Sequence, residues 1–282
     1  MDSTFFSTES PLPTYGNPPL VETVLSVQFD PIAKMTSAHL GAFWHLRRDE
    51  WPRVQIQPTI DPSFESFKEA ERWLPPKLSV QFSQAPDIRV QMINANDDRL
   101  IQLQRDRLAF NWRRRRGEEY PRFHQLREEF DGALHDLRAF VDAETLGNIE
   151  PRQWEVVYVN HIAKGDLWKA PADWPEVLSG LLPRLPSMTH GADVRAFQGQ
   201  WVFELTPQRG RLYVWVTPAR TADKEPEDVL LLRFTARGPI GNGQDLDNGL
   251  NLGHRAIVES FDRLISPKAR QHWQRHDDTH SF

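Results

Sequence analysis

Apolar and polar residues alternate at period two over residues 21–29. Val21, Thr23, Leu25, Val27 and Phe29 share one face and Glu22, Ser26 and Gln28 the other, which predicts a half-buried strand. Order is expected to begin at Leu20. From Ser37, a candidate N-cap, Leu40, Phe43, Trp44 and Leu46 gather on one side at helical spacing, and Pro52 ends the segment. Strand patterns follow at residues 54–57, 77–82 and 88–93. Two more, at 100–104 and 107–113, meet at a corner near Arg105-Asp106, which makes a β-meander. Phe123, Leu126, Phe130, Leu134, Leu137 and Val141 then recur at steps of three and four, with Pro121 just ahead of them, and predict a long amphipathic helix. Gly147 and Pro151 are expected to close this half.

The order then recurs. Residues 156–162 form a β-rich run behind Trp154 and Glu155, and Asp173-Trp174-Pro175 is an N-cap signature for a short helix reaching Leu182. Strands are expected at residues 194–197, 201–205, 212–217 and 229–235. A Gly/Asn loop over 238–249 leads to a closing helix with Leu250, His254, Ile257, Val258, Phe261, Leu264 and Ile265 on its apolar side. Glu22 falls on Glu155 at an offset of 133 and Phe130 on Phe261 at an offset of 131, so the start and end of each half repeat at nearly one interval. The expected fold is α+β: a tandem duplication of a β-α-β(3-4)-α unit, antiparallel sheets with helices packed on one face, as in helix-grip or TATA-binding-protein-like folds. Residues 1–18 are read as a flexible leader, 19–150 and 151–275 as the two halves, and 276–282 as a polar tail.

Composition narrows the class. The 282 residues are 39% hydrophobic and 26% charged, which excludes a disordered chain. Ten Trp, sixteen Phe and 22 Pro favour short elements with large buried rings over one long helical bundle. No run of about 18 apolar residues offers a membrane helix. The first residues lack the basic and apolar regions of a secretory signal, so a cytoplasmic location without membrane association is expected. With no cysteine, disulfides, thiolate catalysis and Cys-ligated metal centres are excluded.

Catalytic motifs are missing too. Gly238-Pro239-Ile240-Gly241-Asn242-Gly243 lacks the Gly-Lys-Ser/Thr ending of a phosphate loop, and no Gly-x-Ser-x-Gly or His-Glu-x-x-His occurs. His272 and His276 stand four apart near Asp277, Asp278 and His280, but two histidines in a polar tail make a weak metal site. No cofactor, metal or catalytic set is expected. Recognition chemistry is better represented. Arg105, Arg107, Arg113, Arg114, Arg115 and Arg116 place six guanidinium groups within twelve positions, with Asn111 and Trp112 beside them. On a strand Arg113 and Arg115 face one way and Arg114 and Arg116 the other. A net charge of −5 stands against a dedicated nucleic-acid binder, and nearby glutamates are available to pair the run internally. Asn160 and His161 interrupt an apolar strand on opposite faces, so one of them must point into a core or cavity. Trp168 and Trp174 flank a loop as candidate partner anchors or as caps on the sheet, and Phe5 and Phe6 in the leader are candidates for docking on another chain.

Several of these stretches together resemble a sporadically distributed bacterial family of uncharacterised proteins. They are Asn17-Pro18-Pro19-Leu20-Val21-Glu22, Arg105-Asp106-Arg107 with Asn111-Trp112-Arg113, Tyr120-Pro121-Arg122, Tyr158-Val159-Asn160-His161-Ile162, and His254 with Phe261 and Trp273. What the resemblance implies is context: a patchy distribution suits mobile, defence-like or toxin–antitoxin gene neighbourhoods. The expectation is a non-catalytic binding or adaptor protein that recognises a protein or ligand partner, with a protein partner or an oligomer of the chain expected. The alternatives are a nucleic-acid binder using residues 105–116 and an enzyme with an unrecognised site.

Overall fold

Alternation over Leu20–Phe29 sends Leu25, Val27 and Phe29 into the core, and the segment forms a ten-residue strand. The computed structural model describes residues 11–67, 88–115, 120–184, 192–205, 207–222, 225–241, 243 and 245–277. In chain order the elements are β1 (Pro13–Tyr15), β2 (Leu20–Phe29), α1 (Ser37–Leu46), β3 (Arg53–Pro58), β4 (Ile88–Ile93), β5 (Arg99–Gln104), β6 (Arg107–Arg113) and α2 (Phe123–Ala143). They continue with β7 (Pro151–Ala163), α3 (Trp174–Val177), β8 (Gly199–Leu205), β9 (Gly210–Arg220), β10 (Asp228–Pro239), α4 (Leu246–Leu264), α5 (Pro267–His272) and β11 (Arg275–Asp277). The fold is α+β. Among the described residues nine strands make one antiparallel sheet in the order β3-β4-β5-β6-β2-β7-β10-β9-β8.

The strands expected in separate sheets therefore join, because β2 and β7 pair through the middle. The described helices lie on one face. Helix α2 covers β6 and β2, and α4 covers β7 and β10. Phe43 of α1 meets Phe140 of α2 edge-on, and Ser266, just beyond α4, donates its backbone N–H to Val177 of α3. Burying a ring such as Phe130, Phe234 or Trp112 in the layer between contributes about 2–3 kcal/mol of transfer free energy each.

Three expectations change, and a fourth lies outside the described residues. Pro151 opens β7 instead of closing the first half, which suits a ring without an N–H at a strand's first residue. Residues 194–197 lie outside any strand. Residues 77–82 fall outside the described residues. Part of the leader and the tail is paired: β1 binds β11, and Tyr15 and Arg275 both donate to Asp262 Oδ1 at 2.6 Å. That pairing also removes the i, i+4 histidine face, since α5 ends at His272 and His276 belongs to a strand opposite Thr14.

Candidate binding face

Strand alternation divides the side chains of β7 between two environments. Trp154, Val156 and Tyr158 turn toward α4, so Gln153, Glu155, Val157, Val159 and His161 project from the face that carries no described helix. Residues paired directly across neighbouring strands share a face. Register then extends that face as a row: Gln104 opposite Arg107, Arg107 opposite Gln28, and Gln28 opposite Gln153. All four are buried polar side chains.

Their partner is the chain itself. The segment after β3 runs along this row from strand to strand. Gln104 is bidentate on Ile60, accepting its N–H at 3.0 Å and donating to its carbonyl at 2.9 Å. Gln28 accepts from the Ser63 N–H at 3.2 Å. Gln153 accepts from the Glu65 N–H and donates to the Ser63 carbonyl, both at 2.7 Å. Three strand steps cover about 14 Å, and the five residue steps from Ile60 to Glu65 span about 16 Å when extended, so the strap and the row match in length.

At its far end the strap delivers a carboxylate. The Glu65 side chain is only 1% exposed. Arg211 donates to it at 2.6 Å, Tyr213 at 2.7 Å, and Arg237 completes the set. Arg237 stacks over Tyr213, and Arg211 over Phe67, each at 4.7 Å. Burial works against the charged form of both guanidiniums, but Glu65 outweighs it and both pKa values are raised. Burial, followed by Glu65, raises the Tyr213 hydroxyl. A second network runs across the first half: Arg89 and Gln91 donate to Gln102, Gln102 to Asn111, and Asn111 to Glu22. Trp215 stands 45% exposed on the same face, opposite Arg233.

The residues singled out by sequence are dispersed. Arg113 and Arg115 share Asp97 with Arg53 in the β4–β5 turn, and their combined charge overcomes burial to hold that carboxyl below its usual range. Arg114 points elsewhere and donates to the Pro18 carbonyl at 3.0 Å. Arg107 is buried in the row, with its pKa lowered chiefly by desolvation, and Arg105 occupies the β5–β6 corner. Arg116 lies outside the described residues. Trp112 packs in the core and Asn111 belongs to the second network. Asn160 turns toward the helices and donates to the Leu232 carbonyl, while His161 sits on the face without a described helix, opposite Leu231. Trp168 and Trp174 are both buried. They meet edge-on at 5.6 Å inside the core, and Trp168 donates to the Ile162 carbonyl. Sequence reasoning missed Gln104, Gln153, Glu65, Arg211, Tyr213 and Arg237. Period two had already placed Gln28 on the polar side, and the same count on the neighbouring strands is the signal that would have found the row.

His254 sits under the helix layer, stacked on Phe123 at 3.9 Å, with Nδ1 2.8 Å from the Tyr158 hydroxyl. Tyr158 in turn lies 3.0 Å from the Tyr120 hydroxyl. Burial, then the nearby Arg255, pulls the imidazole down to about 3, while burial raises both tyrosines. The folded chain thus refuses a proton that the unfolded chain accepts near pH 6.5. Stability is unaffected above that pH and falls as pH drops from 6.5 toward 3, by up to about 1.4 kcal/mol per unit. Urea midpoints at pH 7 and pH 5 are expected to differ less in His254→Gln than in the native chain. Equal differences in the two proteins would show that His254 does not carry this slope.

Comparison with family models, curated proteins and solved structures finds no match to this chain.

Proposed function

We propose that this chain is a non-catalytic binding or adaptor protein that recognises a protein or ligand partner through the face of its sheet that carries no described helix. One observation carries the reading: a row of buried amides and guanidiniums on that face already grips an extended backbone and a carboxylate. Groups of this kind form recognition surfaces, because they offer directed hydrogen bonds with little conformational entropy left to lose.

A tandem duplication fits the same picture. At the offset of 133, Val24 corresponds to Val157, and these two residues are paired in the middle of β2 and β7, where a local twofold axis would pass. Glu22 lies opposite Arg113 as Glu155 lies opposite Arg237, so each half sets a glutamate of its first strand against an arginine of its last. This is the arrangement expected of a TATA-binding-protein-like saddle.

Nucleic-acid binding by residues 105–116 draws less support, since Asp97 already engages Arg113 and Arg115 and Arg107 is buried. An enzymatic site made from Asn160, His161 and His254 is also weakly supported, because His161 faces away from the side of Asn160. A photo-crosslinking residue placed at Trp215, on the face, and separately at exposed Arg138 on α2, tests the proposal in cells of the source organism. Protein or ligand adducts are expected at position 215, resistant to nuclease, and not at 138. Adducts at 138 alone, or only nucleic-acid adducts at 215, would overturn it.

A further inference from the structure

We propose that the trough formed by Gln104, Arg107, Gln28 and Gln153 with the Arg211–Arg237–Tyr213 pocket is a site for an extended peptide bearing a carboxylate. Residues 60–66 are its built-in occupant, which such a partner displaces. The inference rests on the binding-face reading and names the partner's chemistry.

The contacts show what the trough reads. Gln104 takes the backbone of Ile60, Gln28 the N–H of Ser63, Gln153 the backbone of Ser63 and Glu65, and Arg211 the Ser66 carbonyl. These groups recur in any extended chain, so they select conformation and not sequence. Selectivity lies in the pocket, where two guanidiniums and a phenol converge on one carboxylate.

The trough grips the occupant through hydrogen bonds and ion pairs. Ile60 is 37% exposed and Phe64 51% exposed, and neither packs against the hydrophobic core. A permanent brace would bury them, at about 2 kcal/mol apiece. The middle of the trough is also under-used. Arg107 reaches the Asp61 carbonyl only at 3.5 Å, and the buried Gln28 Nε2 and Arg107 Nε have no hydrogen-bond partner among the described residues. A buried donor left unmet costs on the order of 1–3 kcal/mol, so a partner placing an acceptor there gains what the strap forgoes. Tethering supplies the strap's advantage, since a covalently linked segment competes at an effective concentration of the order of millimolar.

The probe is a fluorescein-labelled peptide with the sequence of residues 58–67, titrated into full-length chains by fluorescence polarisation. Glu65→Ala removes the strap's carboxylate and is expected to bind the peptide ~10-fold or more tightly than the native chain does, as the open trough becomes more populated. Adding Arg237→Ala, or replacing the peptide's glutamate by glutamine, is expected to abolish that binding. Glu65→Gln, a nearly isosteric change, serves the same purpose should the alanine variant not fold. A folded Glu65→Gln or Glu65→Ala chain that ignores the peptide overturns the proposal. So does equal binding of the glutamine peptide, or a dimer in which two copies exchange straps. If the peptide fails while crosslinks still form at position 215, only the trough assignment falls; if both fail, the binding-face reading falls with it.

Discussion

Gly249→Ala is expected to destabilise the protein by about 3 kcal/mol, at the upper end of what overpacking a core costs, whereas Gly132→Ala is expected to stabilise it by about 0.5–1 kcal/mol. Both glycines lie inside long helices, so helix propensity favours alanine at each. They differ in what a methyl group would meet. At Gly132 nothing lies within 4 Å. At Gly249 a Cβ would stand 2.2 Å from Cδ1 of Trp154 and 2.5 Å from its Cγ and Nε1. The indole has nowhere to retreat. A Cβ on Gly253 would meet it at 2.7 Å, and on the sheet side Cβ atoms on Gly238 and Gly210 would stand 2.7 and 2.9 Å from Cζ2. Trp154 is fully buried between these four glycines, and the close approach of α4 to β7 and β10 depends on that slot. Denaturant unfolding measures the difference. Trp154→Leu is expected to lower stability by itself yet to make Gly249→Ala nearly harmless, a non-additivity that identifies the indole as the obstacle. Native-like stability of the Gly249→Ala single variant would contradict this packing.

That slot shows how far the sequence could be read. The period-two run over β2, the three-and-four spacing of α2 and the corner between β5 and β6 were legible because each is decided by a face that must be buried. Gly249 and Gly253 carried no such signal, since what they accommodate arrives from a strand nearly a hundred residues earlier. Trp168 and Trp174 looked like loop aromatics available to a partner. Their burial comes from packing on each other and on the end of β7, which local pattern does not report. The pairing of β1 with β11 is similar: three residues at each end find order through Asp262, far from either in sequence terms for β1. Strand parity sets Arg113 and Arg115 apart from Arg114, but their acceptor, Asp97, belongs to a turn whose reach across the meander no spacing rule supplies.

The trough was the least legible part. Gln104 and Gln153 are neutral residues at strand ends, where an amide ordinarily faces water. Only the register of four strands brings them into line with Gln28 and Arg107. The strap itself has no periodicity, and Pro58 and Pro62 mark it as a loop. What makes it specific is the encounter of Glu65 with Arg211 and Arg237, separated from it by about half the chain.

Glu65→Ala is expected to release the strap without dismantling the sheet. The change leaves Arg211, Arg237 and Tyr213 converging on no carboxylate, and loss of one partner from a buried ion pair costs about 3–5 kcal/mol when the remaining charge is sealed from water. Here the two arginine side chains keep 18% and 21% of their exposure, so part of that cost is recovered by solvent. The loss should fall locally, because the strap contributes little to the apolar layer under the helices. Hydrogen exchange at single-residue resolution separates the two outcomes. In the native chain the N–H groups of Ile60, Ser63 and residue 65, each held by a glutamine, are expected to be protected, but to open more readily than Leu25 or Val156 in the central strands. In Glu65→Ala those three amides are expected to exchange ~100-fold faster, while Leu25 and Val156 keep their protection. If the strap amides instead exchange only together with the central strands, the segment is an inseparable part of the fold and the face beneath it is not a recognition surface.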